Sequence, residues 1–191
     1  MKLFLAEPFA SKWQHLDPFK EVFMLSGETF RDMGDRCTSR FELDGKAYFV
    51  KTHTGVGWIE ILKNFICLRS PILGAENEYQ AIVSLSELGV QTMTVKAFGS
   101  NGWNPANRKS FLITEAIEPT QALDEYCNPE SLVNMGPFQR RSLVRRLAKI
   151  SRTIHENGVN HRDYYLCHFL ISVSGEHSKD SVAKKPISLI D

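Results

Sequence analysis

The dipeptide Asp44-Gly45 constrains this chain more than any other feature. Such a pair supplies the positive backbone torsions of a tight two-residue hairpin, and here it lies between two runs of strand character. Cys37 to Leu43 alternates loosely before it. Lys46 to His53 alternates after it, with Ala47, Phe49 and Lys51 on one face and Tyr48 and Val50 on the other. Val22 to Leu25, stopping at Ser26-Gly27, also reads as a strand. Three consecutive strands joined by short turns form an antiparallel meander.

Beyond the break at Gly55-Val56-Gly57, a short helix is expected from Trp58 to Leu68, halted before Pro71 because the residue preceding proline is pushed out of the helical region. A second helix is expected over Ala75 to Leu88, ending at Gly89. Thr94 to Phe98 and Ser110 to Ile117 read as two more strands around the loop Gly99 to Pro105. From Glu118 the period changes. Gln139 to His155 is helical, with Leu143, Leu147, Ile150 and Ile154 at i, i+4, i+7 and i+11. Arg140, Arg141, Arg145, Arg146, Lys149 and Arg152 fill the rest of that helix. They read as the solvated face of a core helix, with anionic lipid head groups as the alternative contact. Asn157-Gly158 stops it, and Phe169 to Val173 and Ile187 to Ile190 read as short strands around a polar hairpin, Ser174 to Pro186. The fold class is α+β: an antiparallel sheet with its helix over residues 1–117, then the start of a more helical part over residues 118–191.

Composition removes several classes. At 191 residues with 42% hydrophobic and 24% charged side chains, the chain is globular rather than disordered. Lys+Arg number 23 against 22 Asp+Glu, so nothing favours a nucleic-acid-coating role. No apolar run reaches the roughly 20 residues that cross a bilayer, and Met1 to Ala6 meets Glu7-Pro8 too early for a signal-peptide core. Cys37, Cys67, Cys127 and Cys167 form no CxxC pair, which suits reduced thiols and a cytoplasmic setting.

The chemistry concentrates in His161-Arg162-Asp163-Tyr164-Tyr165-Leu166-Cys167-His168-Phe169. A His-Arg-Asp triplet after a helix and just before a strand is the catalytic-loop signature of protein-kinase-like enzymes. A carboxylate there, Asp163, can accept the proton of an attacking hydroxyl. Lys51 closes its strand at the place of a lysine that holds a nucleotide's α- and β-phosphates. On the Ala75–Leu88 helix, at about 100° per residue, Glu78 falls among Tyr79, Ile82 and Leu85. Glu76 and Glu87 project to the polar side. A carboxylate in an apolar stripe is costly unless a cation meets it, and Lys51 is the expected cation. Asp191 ends the last strand at the place of a magnesium-binding aspartate. Ser26 to Arg31, with Gly27, is the expected loop over the phosphates, though it has one glycine where GxGxxG has three. Thr114-Glu115-Ala116-Ile117 ends a strand where a hinge would offer the backbone groups of Glu115 and Ile117 to adenine.

With these residues together, the chain resembles the lipopolysaccharide core heptose(I) kinases of Gram-negative bacteria (the RfaP/WaaP type). The resemblance runs through Gly27 to Arg31, Ala47 to His53, Gly55 to Ile61, Pro71 to Tyr79 and His161 to Leu170. It implies a protein-kinase-like fold, with residues 1–117 as the ATP-binding lobe and residues 118–191 as the first part of a C-terminal lobe carrying the catalytic loop. It also implies transfer of the ATP γ-phosphate to the first heptose of a lipid-linked inner-core acceptor, with ATP and Mg2+ as cofactors and peripheral contact with the inner-membrane surface. Asp163 would be the base, Lys51 and Glu78 the ion pair, and Asp191 a metal ligand. His168 stands where protein kinases place an asparagine as second metal ligand. Magnesium prefers oxygen donors, so a role through water or in holding the loop suits this histidine better. Tyr165 stands where protein kinases often carry a lysine. Both departures favour a non-protein acceptor over the alternative of a protein kinase (tyrosine-modifying among them), while the set Lys51, Glu78, Asp163 and Asp191 argues against the other alternative, a non-catalytic pseudokinase. The chain is expected to stop where most of the acceptor-binding part would follow.

Overall fold

The Asp44-Gly45 turn forms as its residues require, with φ of 53° and 73° and with Leu43 paired to Lys46. The structure, a computed structural model, describes residues 1–67, 74–161, 163–173 and 185–190. The chain divides into two compact units, Met1–Gln80 with Thr94–Ala116, and Ala81–Met93 with Ile117–Asp191.

The first unit is built on a six-stranded antiparallel sheet. Its strands are β1 (Lys2–Leu5), β2 (Glu28–Asp32), β3 (Arg36–Leu43), β4 (Lys46–His53), β5 (Thr94–Asn101) and β6 (Lys109–Glu115), in the order β1-β5-β6-β4-β3-β2. Helices α1 (Phe9–Lys12) and α2 (Pro18–Met24) supply the core over one face, where Phe9, Trp13 and Val22 pack with Phe41, Tyr48, Val50, Ala97, Phe111 and Ile113. Tyr48 and Val50 are thus the inward residues of β4, as the alternation requires. Lys51 belongs to the other face. Helix α3 (Gly57–Ile66) follows β4, and α4 (Glu76–Glu87) begins in this unit.

Two expectations for this region are corrected. Val22 to Leu25 is not a strand but the end of α2 and the residue after it. A four-residue apolar run has no period of its own. The outcome is decided upstream, where the Asp17 carboxylate accepts the Phe19 N–H at 3.0 Å and Pro18 occupies the first helical position. Ser26 to Arg31 is not a loop, because Glu28–Asp32 is β2 and pairs with β3. The first strand of the meander is therefore β2. Gly27 lies at the base of that hairpin, and a Cβ there would stand 2.1 Å from the Arg40 carbonyl oxygen. The hairpin tip is Met33-Gly34-Asp35, where the Gly34 N–H donates to the Asp32 carboxylate at 2.8 Å.

The second unit holds a three-stranded antiparallel sheet of β7 (Thr120–Ala122), β8 (Phe169–Ser172) and β9 (Ile187–Leu189). Helices α5 (Leu123–Tyr126), α6 (Pro129–Asn134) and α7 (Pro137–Glu156) accompany it. Leu143 and Ile154 of α7 are buried with Leu85, Val90, Leu123, Phe169, Ile171, Ile187 and Leu189, while Leu147 and Ile150 pack at the margin. The α7 stripe read from sequence is thus its core face. β1, β7, α5 and α6 were not anticipated; each is six residues or fewer, too short to declare a period. The expected polar hairpin and the end of the Trp58–Leu68 helix fall largely on residues 174–184 and 68–73, outside the described residues. All four cysteines are free. No helix among the described residues is long and apolar enough to cross a membrane.

Candidate active site

The start of α4 is fixed by close packing against β6. The Ala75 N–H donates to the Ser110 hydroxyl at 3.0 Å, and a Cβ on Gly74 would stand 2.5 Å from that same oxygen. Tyr79 stacks on Phe98 with ring centroids 4.3 Å apart, which sets the rotation of the helix over the sheet. Glu76 pairs with Lys2 of β1. That rotation carries Glu78 to β4, where Lys51 Nζ donates to its Oε1 at 2.7 Å. The side chains are 24% and 19% exposed, so the pair is partly withdrawn from water and its attraction is less screened than on a surface. The structure therefore brings together the lysine and the glutamate that the helix-face arithmetic pairs.

At the far end of the sheet, the Glu115 carboxylate meets Lys96 Nζ at 2.7 Å and Lys46 Nζ at 3.2 Å. The Lys96 hydrogen bond holds its pKa below the ordinary carboxylate value. The Ala116 N–H is spent on the Ala47 carbonyl at 2.9 Å, and the Ile117 carbonyl accepts the Thr120 hydroxyl. The Lys96 and Lys46 contacts were missed from sequence, because they depend on strand register between β4, β5 and β6.

His53 ends β4 on the Lys51 side and is buried, with Nδ1 lacking a hydrogen-bond partner among the described residues. Burial, reinforced by Arg36, lowers its pKa from 6.5 to about 4. It is therefore neutral in the folded protein at neutral pH. Because the unfolded chain binds that proton more readily, this contribution to stability is complete above pH 6.5 and fades as pH falls toward about 4. Over that window wild-type stability should fall by about 3 kcal/mol more than that of His53→Gln, measured by urea unfolding at a series of pH values. Parallel curves would show that this histidine is not the titrating group.

In the second unit, α7 ends at a Schellman motif. Gly158, at φ 70°, donates to the His155 carbonyl at 3.1 Å, and Val159 donates to the Ile154 carbonyl at 2.9 Å. That turn launches the His161-Arg162-Asp163 segment, of which Arg162 lies outside the described residues. His161 Nε2 is 3.2 Å from the Ile190 carbonyl oxygen, tying the loop to the residue before Asp191. Asp191 itself lies outside the described residues. Asp163 is exposed, and its carboxylate has no hydrogen-bond partner among the described residues; the Tyr165 N–H donates to its backbone carbonyl at 2.9 Å. His168 packs against the His161 ring at 5.9 Å, and its Nδ1 is 3.6 Å from Cys167 Sγ. Among the described residues no three His, Cys, Asp or Glu side chains cluster as a metal site.

The anchor that sequence reasoning missed is Tyr164. Its hydroxyl lies 2.7 Å from the Ser151 hydroxyl on α7, and its ring meets Phe169 edge-on at 5.2 Å. The tyrosine thereby holds the segment next to Asp163 against the core. Ser151 also donates to the Leu147 carbonyl, so Tyr164→Phe strands no buried group. It should cost about 1 kcal/mol in chemical denaturation, and a cost near zero would show that the Tyr164–Ser151 contact does not clamp the loop.

An antiparallel sheet bearing a Lys–Glu pair, followed by a helix, a loop and short paired strands, is the protein-kinase-like architecture. The chain belongs to the lipopolysaccharide kinase (Kdo/WaaP) family, whose family model matches residues 20–191. It is 44% identical over 98% of its length to the lipopolysaccharide core heptose(I) kinase WaaP of Escherichia coli, covering 69% of that protein. To the enzyme of the same name from Pseudomonas aeruginosa it is 42% identical over 99% of its length, covering 70%. A solved structure of WaaP in complex with acyl carrier protein superposes with a TM-score of 0.84 at 38% identity, over all of this chain and 70% of that one.

Proposed function

We propose that the protein transfers the γ-phosphate of ATP to a hydroxyl of the first heptose of a lipid-linked lipopolysaccharide inner core, at the cytoplasmic face of the inner membrane. The observation that carries this reading is the 2.7 Å Lys51–Glu78 pair in a chain so close to curated heptose(I) kinases over nearly its whole length. In this reading the sheet unit is the ATP-binding lobe. Lys51, held by Glu78, contacts the α- and β-phosphates. The β2–β3 hairpin tip at Gly34, rather than Gly27, covers them. With Glu115 engaged by two lysines and the Ala116 N–H spent in the sheet, adenine recognition at this segment falls to backbone groups and not to the Glu115 carboxylate.

Asp163 orients the sugar hydroxyl and accepts its proton. The hydroxyl oxygen bonds to the γ-phosphorus as the bond to the β–γ bridging oxygen breaks, and ADP leaves. Asp191 has the oxygen donors that magnesium takes. Magnesium prefers oxygen donors, so in this reading His168 acts through water or in holding the loop, where its ring packs beside that of His161. Magnesium, when bound, supplies neutralisation of phosphate charge. The test is to incubate the protein with γ-labelled ATP, dephosphorylated core oligosaccharide and a mixed protein acceptor. Label on the oligosaccharide is the expected result. Label on protein alone would establish the protein-kinase alternative, and none at all the pseudokinase one.

A further inference from the structure

Helix α3 carries an apolar stripe turned toward solvent. Trp58, Ile59, Leu62 and Ile66 are exposed, Ile59 by 87%, while Ile61 on the inner side is buried. At about 100° per residue the four exposed side chains fall within roughly one quadrant of the helix. The helix lies against the short turn Pro105–Asn107. Gly55, just before α3, comes so near that turn that a Cβ would stand 2.5 Å from the Ala106 carbonyl oxygen. The loop entering the turn exposes Trp103 by 93%. Lys63 lies in the last turn of α3, and Arg108 and Lys109 follow the short turn, whereas Glu60 is the single acidic residue in 54–67 and 101–109.

We propose that the α3 stripe and Trp103 form a membrane-contact face that seats on an anionic lipid surface. Bulky aliphatic residues with tryptophan, edged by lysine and arginine, are the composition that settles at the boundary between head groups and acyl chains. The excess of positive charge complements anionic lipid, and it would set two copies of the same face against each other. The basic helix α7 is the weaker candidate: its Arg141, Arg145 and Lys149 are exposed, but it exposes two large apolar side chains, Phe138 and Val144, against four on α3, and its other cations serve the fold. Arg140 donates to the Met135 and Leu132 carbonyls, Arg146 to the Lys185 carbonyl, and Arg152 pairs with Glu156 at 2.7 Å. The inference rests on the reading above that the acceptor is lipid-linked, and it specifies the face by which the protein reaches such a substrate.

The test is co-sedimentation with vesicles of phosphatidylcholine, with and without phosphatidylglycerol, at low and high salt. Wild-type protein should bind the anionic vesicles, weaken several-fold at high salt and still remain partly bound, since salt screens charge but not apolar contact. Ile59→Gln with Leu62→Gln should lower partitioning on the order of 30-fold at both salt concentrations. Both side chains are exposed, so folding should be unchanged, and transfer to soluble delipidated oligosaccharide should match wild type. Vesicle binding unaffected by the double substitution would overturn the proposal. So would wild-type protein that ignores vesicles, if the double substitution instead abolishes self-association or capture of acyl carrier protein. Wild-type protein that binds vesicles yet phosphorylates neither acceptor would fell the kinase reading and leave the membrane face standing.

Discussion

Asp163→Asn should lower phosphoryl transfer by roughly 10²–10⁴-fold, the usual worth of general-base assistance, while leaving nucleotide affinity within about twofold of wild type. A sugar hydroxyl is a poor nucleophile until a carboxylate orients it and takes its proton. Asparagine keeps the shape and one acceptor oxygen but cannot become the acid. The backbone that places residue 163 is independent of its carboxylate, being held by the Tyr164–Ser151 contact, the His161–Ile190 contact and the Tyr165 N–H. The loss should therefore fall on kcat and not on folding. Equilibrium nucleotide binding and single-turnover transfer, measured on the same preparation, separate the two. Near-wild-type transfer would exclude Asp163 as the base.

Lys51→Met should weaken nucleotide binding and transfer together by roughly 10–100-fold, the range expected for losing one charge-assisted hydrogen bond to phosphate. It also leaves the Glu78 carboxylate on the apolar side of α4 without that cation. Glu78→Gln keeps the lysine but loosens its aim, so its defect should be smaller. The pair can be isolated by a double-mutant cycle: Lys51→Met, Glu78→Gln and the combination should show a coupling of about 1–2 kcal/mol in transfer free energy. Strict additivity would mean that the 2.7 Å contact does not act as a unit.

Sequence made legible what is local or periodic. Asp44-Gly45 forced a turn, the β4 alternation separated Lys51 from Tyr48 and Val50, and 100° steps along α4 selected Glu78 over Glu76 and Glu87. Elsewhere the deciding interaction lay outside the segment being read. Val22 to Leu25 is apolar at every position and carries no period, and its helical state follows from the Asp17-Pro18 cap. β1 became visible only through its pairing with β5, since Leu3 and Phe4 are both partly exposed. The lysines on Glu115 come from two other strands, and Ser151 meets Tyr164 from thirteen residues away. Such contacts depend on register and helix rotation, which no short window contains. Gly27 was read as a loop glycine, whereas its closeness to Arg40 is a cross-strand constraint at the base of a hairpin.

Phosphorylation of a heptose through Asp163 can be measured most directly by single-turnover transfer from γ-labelled ATP to purified, dephosphorylated lipid-linked core, with fragmentation mass spectrometry of the released oligosaccharide. Phosphate on the first heptose is expected with wild-type protein, and only trace product with Asp163→Asn. Phosphate on another sugar, or equal product from both proteins, would contradict that reading.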